Sequence, residues 1–234
     1  MELAVSEWGL QGIRKFDGHV GALVVVDVLS FSTCVDIAVA RGATVIPFSH
    51  GDISAATRVA TARQAEVAGP RGSRAHRFSL SPASLLAIAP GTRLVLPSPN
   101  GSAISTAALR TPVLTGCLRN ARAVAWRAAA IAGAAAVAVI PAGERWPDGT
   151  LRLAVEDLLG AGAILDALAL PGSAEAELAM QAFRAARPRL GELLRGCVSG
   201  EELIARGFPE DVELALQLNA SNAAPMLVDG AYIG

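Results

Sequence analysis

The chain has 234 residues, 52% of them hydrophobic, and its 20 basic and 21 acidic side chains give a net charge of -1. This near-neutral balance, without a basic run, argues against nucleic-acid binding, which depends on clustered Lys and Arg. The mean hydropathy of +0.43 suggests a membrane protein. However, the longest apolar stretch, residues 128–143, contains Pro141 and is shorter than the roughly 20 apolar residues of a spanning helix. We therefore expect no membrane partner.

The N-terminus and the cysteines point to a reducing compartment. Glu2 and Glu7 are acidic where a signal peptide carries positive charge, so we expect a cytoplasmic protein. Three cysteines lie far apart without metal-ligand spacing, and we expect them to be reduced and packed: Cys34, Cys117 and Cys197.

The first predicted elements form a strand, a loop, a helix and a strand. Residues 23–26 are consecutive Leu and Val, which predicts a strand buried on both faces of a parallel sheet, ending at Asp27. A hydroxyl-rich loop follows. A helix is predicted over 34–41, with Ser32 or Thr33 as its N-cap, before a strand over 44–48.

The same order recurs further along the chain. A strand is predicted over 94–96, a helix over 103–109 and a strand over 113–114, and Ser102 lies 69 positions after Thr33 (102 − 33). This weak repeat indicates an internal βαβ duplication, with chance similarity between two such units as the alternative. Residues 65–81, rich in Gly, Pro and Arg, predict a surface loop that is either ordered over a site or mobile.

The remaining elements complete an α/β class. The pattern predicts a strand over 136–140, a turn at 147–149 and helices over 121–132, 151–168, 174–186, 201–206 and 211–218. Alternating helices and strands predict a three-layer α/β/α fold with a mainly parallel or mixed sheet. We expect one domain over 1–234, with two closely packed lobes, about 1–120 and 121–234, as the alternative.

Polar residues at predicted strand ends give the first candidate site. In open α/β sheets, ligands bind beyond the carboxyl ends of the strands, where helix N-termini offer free N–H groups. Asp27 ends one strand, and Asn100 follows another. An Asp beside an N–H-rich turn suits a divalent cation together with a phosphate, although Asp27 capping a turn is the structural alternative. Because Lys15 is the only lysine, anions would be bound by arginines or backbone N–H groups.

Glu156 and Asp157 give the second candidate, inside a predicted helix. Adjacent helical residues point about 100° apart, so at most one of the two acids faces a given site unless the helix begins there. A carboxylate among apolar residues needs a cation or hydrogen-bond donors. The alternative is a solvated Glu156 opposite a packed face.

An ordered series of segments resembles the 2-phosphosulfolactate phosphatases and extends from about Val24 to Leu227. It consists of residues 24–29 (Val-Val-Val-Asp-Val-Leu), Thr33, Ala40, 42–43, 45–47, 100–101, 120–121, 142–143, 156–157, 160–163, 207–208, 211–212 and 217–218. The resemblance implies magnesium-dependent hydrolysis of 2-phospho-3-sulfolactate to sulfolactate and phosphate, a step towards coenzyme M.

The resemblance also implies roles for individual residues. Asp27 and Glu156 would be catalytic, and Mg²⁺ would be bound by Asp27, Glu156 and Asp157. Either a metal-activated water or Asp27 itself would be the nucleophile. The substrate, a small anionic phosphate ester, would be bound by a larger set: Ser30, Ser32, Thr33, Asn100, Gly101, Ser102 and Arg71.

The chain also departs from the family pattern. Ser30 stands where the family has an arginine, and Asn219 and Asn222 stand at acidic positions. Two alternatives follow: a phosphatase for another small anionic ester, or a non-catalytic anion-binding homologue. A homodimer is one way for so apolar a chain to bury surface.

Overall fold

The computed structural model describes residues 3–49 and 52–234, so Glu2, used above to predict the compartment, lies outside the described residues. The structure contains a nine-stranded mixed sheet with helices around it, which confirms the α/β class. The strands of this sheet are β1 (Ala4–Ser6), β2 (Ala22–Val26), β3 (Thr44–Phe48), β4 (Glu66–Val67), β5 (Arg93–Pro97), β6 (Val113–Gly116), β7 (Val137–Pro141), β10 (Met226–Val228) and β11 (Ala231–Ile233).

Two further strands, β8 (Glu144–Arg145) and β9 (Leu151–Arg152), form a separate antiparallel hairpin. The helices are α1 (Gly9–Phe16), α2 (Phe31–Ala40), α3 (Ile53–Ala62), α4 (Pro82–Leu85), α5 (Gly101–Ser105), α6 (Ala121–Ala132), α7 (Val155–Leu168), α8 (Ala174–Ala186), α9 (Leu190–Gly196), α10 (Val198–Ala205) and α11 (Pro209–Ala215). Within the described part of the chain, no helix is both long enough and apolar enough to cross a bilayer.

The large sheet consists of two parallel sets of strands joined by an antiparallel hairpin. Its order is β1-β7-β2-β6-β10-β11-β3-β5-β4. The first four strands are mutually parallel, and so are the last three. The C-terminal hairpin β10–β11 pairs antiparallel with β6 on one side and with β3 on the other. Its three-residue strands are too short to show a hydrophobic period in the sequence.

The two predicted βαβ units do not join parallel neighbours: each runs from one parallel set to the other, and three antiparallel pairings separate the two sets. The chain leaves β2 through α2 and reaches β3, whereas β5 leads through α5 to β6. Since β2 pairs with β6 and β3 pairs with β5, the chain passes from the first set to the second through α2 and returns to the first through α5. These crossings place the loop after β2 next to the loop after β5.

Both faces of the sheet are buried. Leu23 and Val25 of β2 share one core with Val45 of β3 and Leu94 of β5. The alternate residues of β2 pack on the opposite face against α6, α7 and α8. A continuous Val run therefore marks a strand covered on both sides, as the sequence predicts. All three cysteines are free and buried.

Several predicted helix starts are wrong, among them those of α5, α10 and α11, which begin two or three residues earlier than predicted, and two further errors bear on the site. Helix α2 begins at Phe31 rather than at 34, so Ser32 and Thr33 lie in its first turn and do not cap it. Asp27 takes that role, because its side chain accepts the Phe31 N–H and its carbonyl accepts the Ser32 N–H. Helix α7 begins at Val155 rather than at 151, because residues 151–152 pair with β8 instead.

Candidate active site

Asp27 lies directly after β2 and is 6% exposed. Its Oδ1 accepts the Phe31 N–H at 3.1 Å, and its Oδ2 accepts the Gly101 N–H at 2.9 Å, so the loops after β2 and β5 meet at this carboxylate. A Cβ on Gly101 would lie 2.3 Å from the Phe31 ring and 2.8 Å from Asp27 Oδ2. Only glycine therefore lets the backbone approach the carboxylate this closely.

Asp157 joins two loops to the first turn of α7. Its Oδ1 accepts the Val28 N–H at 2.7 Å, and its Oδ2 accepts the Gly143 N–H at 2.9 Å. These donors follow β2 and β7, which are neighbours in the sheet. Because both of its oxygens are bonded to the backbone, Asp157 fixes the position of the two loops. Unlike Asp27, whose two oxygens are bonded in the same way, Asp157 does not line the cavity described below, so this positioning task is the one that its surroundings support.

Glu144 is a third acid of the site, and the sequence analysis missed it. It follows β7 in the two-residue strand β8, and its Oε2 accepts a hydrogen bond from Asn100 Nδ2 at 2.8 Å. The only signal was an acid just beyond the carboxyl end of a buried strand. In the structure, this bond joins the loop after β5 to the loop after β7.

The acids of the site raise one another's pKa. Burial raises the pKa of Asp27 to about 6, against the opposing effect of its two N–H donors, and the charge of Glu156 adds to the increase. Burial and the charge of Asp27 raise the pKa of Glu144 to about 7. Burial, followed by the charges of Asp27 and Glu156, also raises the pKa of Asp157. Glu156, itself 2% exposed, lies in the first turn of α7, where the helix dipole favours acids.

Arg71 supplies a fixed cation opposite these acids. Its Nε donates to Asp211 Oδ2 at 3.1 Å, and its Nη2 donates to the Ser30 hydroxyl at 2.7 Å. The Arg71 side chain is only 11% exposed, and Asp211 is 1% exposed. Asp211 also accepts a hydrogen bond from Ser81 at 2.5 Å. The segment 65–81 is therefore attached to the site through Arg71 and Ser81, in the arrangement that the first of the two predicted states describes.

These side chains line one cavity of about 210 Å³, which we call the carboxylate cavity. Asp27, Ser30, Asn100, Glu144 and Arg71 all line it. Helix α10 forms another wall through residues about one turn apart: Ser199, Glu202, Leu203 and Arg206. The cavity thus combines several acids with arginines, which suits an anionic ligand accompanied by a cation.

Other predicted binding residues lie beneath the cavity and do not line it. The Ser32 hydroxyl lies 2.7 Å from that of Thr115, the Thr33 hydroxyl donates to the carbonyl of Val28, and the Ser102 hydroxyl donates to the carbonyl of Leu96. The structure therefore brings together part of the predicted set at the cavity: Asp27, Ser30, Asn100 and Arg71. Gly101 contributes its N–H to Asp27, while Glu156 and Asp157 lie behind the loops.

The cavity offers fewer carboxylates for Mg²⁺ than the three that the sequence analysis predicts. Within residues 3–49 and 52–234, no group of three or more His, Cys, Asp or Glu side chains is arranged to bind a metal ion. Mg²⁺, however, keeps several waters and binds proteins through one or two carboxylates together with substrate phosphate. Asp27 and Glu144 meet this need, because each accepted hydrogen bond leaves a carboxylate oxygen one lone pair.

The fold and the site together define an α/β protein with a ligand cavity at its strand ends, lined by acids and arginines. A family model described as 2-phosphosulpholactate phosphatase matches residues 12–230. The chain belongs to this family, which is a family of phosphoric monoester hydrolases. No curated protein matches the chain.

Proposed function

We propose that the protein hydrolyses 2-phospho-3-sulfolactate to sulfolactate and phosphate with Mg²⁺ as cofactor. The observation that carries this proposal is the carboxylate cavity of about 210 Å³, which Asp27 and Glu144 line together with Arg71. The family match supports the ester, and the mutual repulsion of the acids supports a bound cation.

Arg71 would bind the phosphoryl group. Its Nε and Nη2 are occupied by Asp211 and Ser30, and among the described residues its Nη1 has no hydrogen-bond partner. A guanidinium fixed in this way offers a donor to a phosphate oxygen without further loss of side-chain entropy. Ser30, which accepts from Arg71, is left with its own hydroxyl proton to donate to the same group.

Asp27 and Glu144 would hold Mg²⁺. When bound, the ion polarises the phosphoryl group and neutralises charge on its oxygens. Asp157 would keep the loops after β2 and β7 at a fixed separation through its bonds to Val28 and Gly143. Asn100 would fix the Glu144 carboxylate by its 2.8 Å hydrogen bond. Each of these residues positions a group before the substrate binds, which lowers the reorganisation needed during reaction.

A panel of esters tests this function. Phosphate release from 2-phospho-3-sulfolactate, 2-phospholactate and 2-phosphoglycerate would be measured with Mg²⁺ and with EDTA. We expect the fastest release from 2-phospho-3-sulfolactate, and only with Mg²⁺. Preferred release from another ester would change the assigned substrate, and release in EDTA would remove the metal from the proposal. A folded protein that releases phosphate from none would be a binding homologue.

A further inference from the structure

Two arginines separate the carboxylate cavity from a second cavity. Arg71 and Arg206 line both. The second, of about 260 Å³, is called the arginine cavity here. Within the described chain, its other lining residues carry no charge: Ile53, Ala68, Gly69, Pro70, Leu80 and Pro97. A ligand that extends from one cavity into the other passes from acids to a region whose only charges are two guanidinium groups.

The end of α10 fixes the position of Arg206. The Gly207 N–H donates to the Ile204 carbonyl at 3.0 Å and the Phe208 N–H to the Leu203 carbonyl at 2.9 Å, which together form a Schellman motif. Gly207 has a φ of 86°, a conformation that favours glycine. The Phe208 ring centre lies 5.8 Å from the Arg71 guanidinium carbon. One helix end thus places both arginines beside each other.

The two arginines differ in their partners. Arg71 is bonded to Asp211 and Ser30. Arg206 is exposed, and within residues 3–49 and 52–234 its guanidinium makes no hydrogen bond or ion pair. Glu202, one helical turn earlier, lines only the carboxylate cavity, so its charge favours an anion on the other side of Arg206. An unpaired guanidinium facing a cavity without acids is suited to a planar or tetrahedral anion.

We propose that Arg206, together with Arg71, binds a second anionic group of the substrate, a carboxylate or a sulfonate, in the arginine cavity. The phosphate ester would lie in the carboxylate cavity at the same time. This inference rests on the proposed function and adds a specificity-determining residue to it. Selectivity for esters with a second anion then comes from the end of α10, and not from the acids that face the phosphoryl group.

Three esters that differ only in their anionic groups test the assignment. 2-Phospho-3-sulfolactate carries a sulfonate and a carboxylate, 2-phospholactate lacks the sulfonate, and isopropyl phosphate lacks both. In Arg206→Gln we expect the ratio of kcat/KM for 2-phospho-3-sulfolactate over isopropyl phosphate to fall about 10- to 100-fold, as for a lost charged hydrogen bond. The comparison with 2-phospholactate identifies which anion Arg206 binds.

Two further variants separate binding from structure. Arg206→Lys keeps the charge and should restore part of the ratio. Arg58→Gln removes an exposed arginine of α3 that lines neither cavity and should leave the ratio unchanged. A general structural defect in Arg206→Gln would lower kcat/KM for all three esters equally. An unchanged ratio in this variant overturns the inference.

Calorimetry keeps the inference testable if the proposed function fails. Should the wild-type protein hydrolyse none of the esters, 3-sulfolactate and inorganic phosphate would be titrated into wild-type protein and Arg206→Gln. The inference predicts that the substitution weakens 3-sulfolactate binding about tenfold or more, and weakens phosphate binding less. Equal affinities of the two proteins for 3-sulfolactate would overturn it.

Discussion

The acids and the arginines of the cavity are held by different parts of the fold. Asp27 follows a strand and lines the cavity, and backbone N–H groups bind both of its oxygens, as they do for Asp157 behind it. Arg71 lies on an irregular segment and Arg206 at a helix end, where side chains and a Schellman motif set their positions. We call Asp27 and Glu144 the acidic floor, which would hold the cation, and Arg71 and Arg206 the basic rim, which would bind the anionic groups of the ligand.

The largest expected effect comes from removing the charge of the floor. Asp27→Asn should lower kcat by about a hundredfold or more, as when one preorganised electrostatic group is lost, because it removes a proposed Mg²⁺ ligand. Phosphate release at saturating Mg²⁺ measures this. Asp52→Asn is the matched control, because Asp52 caps α3 through Ser54 and Asn caps helices equally well. Activity of Asp27→Asn close to that of the control would show that the charge of Asp27 does not contribute to the reaction.

A methyl group at the contact between the two loops should disturb the floor without changing its charge. In Gly101→Ala, the added Cβ meets Phe31 and Asp27. We expect the free energy of unfolding to fall by about 1–3 kcal/mol, as in overpacked cores, together with reduced activity. Urea denaturation measures the first effect. Gly196→Ala, where a Cβ meets nothing within 4 Å, should show neither.

Asp157→Asn tests whether Asp157 acts through the loops. The amide can accept only one of the two N–H bonds, so one buried donor loses its partner. The free energy of unfolding should fall by about 1–3 kcal/mol. Asp166→Asn, on the same helix and part-exposed in its ion pair with Arg184, should cost much less. Equal free energies of unfolding for the two variants would contradict the positioning role of Asp157.

The pH dependence of stability distinguishes the floor from the rim, since only the acids titrate near neutrality. The pKa of Asp27 rises from 3.8 to about 6 in the folded protein, and that of Glu144 rises from 4.5 to about 7. The folded state therefore binds more protons than the unfolded state between about pH 4 and pH 7. Each such group makes stability fall with rising pH by up to about 1.4 kcal/mol per pH unit.

Urea unfolding in EDTA from pH 5 to pH 8 measures this slope. The variant Asp27→Asn with Glu144→Gln should show a flatter dependence than the wild type. A slope that is unchanged in this variant would mean that other groups bind the protons.

The smallest expected effect comes from the rim. Gly207→Ala forces alanine into a left-handed conformation, at a cost of about 1 kcal/mol. Activity on isopropyl phosphate should be little affected, whereas preference for 2-phospho-3-sulfolactate should decrease as Arg206 moves. The ratio of the two kcat/KM values measures the effect, and a preserved ratio would show that Arg206 does not depend on the helix end.

The sequence predicts the parts of the site that regular structure positions. A Val run ending in Asp27, and Asn100 after a second strand, are recognisable because ligand residues follow buried strands. Glu144 also follows a buried strand, but it lies in the two-residue strand β8, which is too short to show a pattern in the sequence. Arg206 ends a helix that the sequence does predict. Which face of that helix meets the cavity depends on packing against Arg71 and Phe208, which no local pattern encodes.

The hydroxyl-rich loops show the opposite error. Ser32, Thr33 and Ser102 have the chemistry of phosphate-binding residues, yet their hydroxyls bond to neighbouring backbone or to Thr115 in the interior. Side-chain hydroxyls satisfy backbone groups as readily as ligands, so composition alone cannot separate the two uses. The helix starts decide it: α2 begins at Phe31 and α5 at Gly101, so Ser32, Thr33 and Ser102 lie in first turns with their side chains buried.

The most direct test of the account is a crystal structure with Mn²⁺ in place of Mg²⁺, together with inorganic phosphate and 3-sulfolactate. Anomalous scattering locates the metal without ambiguity. The account predicts one metal peak within about 2.2 Å of carboxylate oxygens of Asp27 and Glu144, the distance expected for such ions, with phosphate beside Arg71. A metal bound by other residues, or phosphate outside the carboxylate cavity, would contradict it.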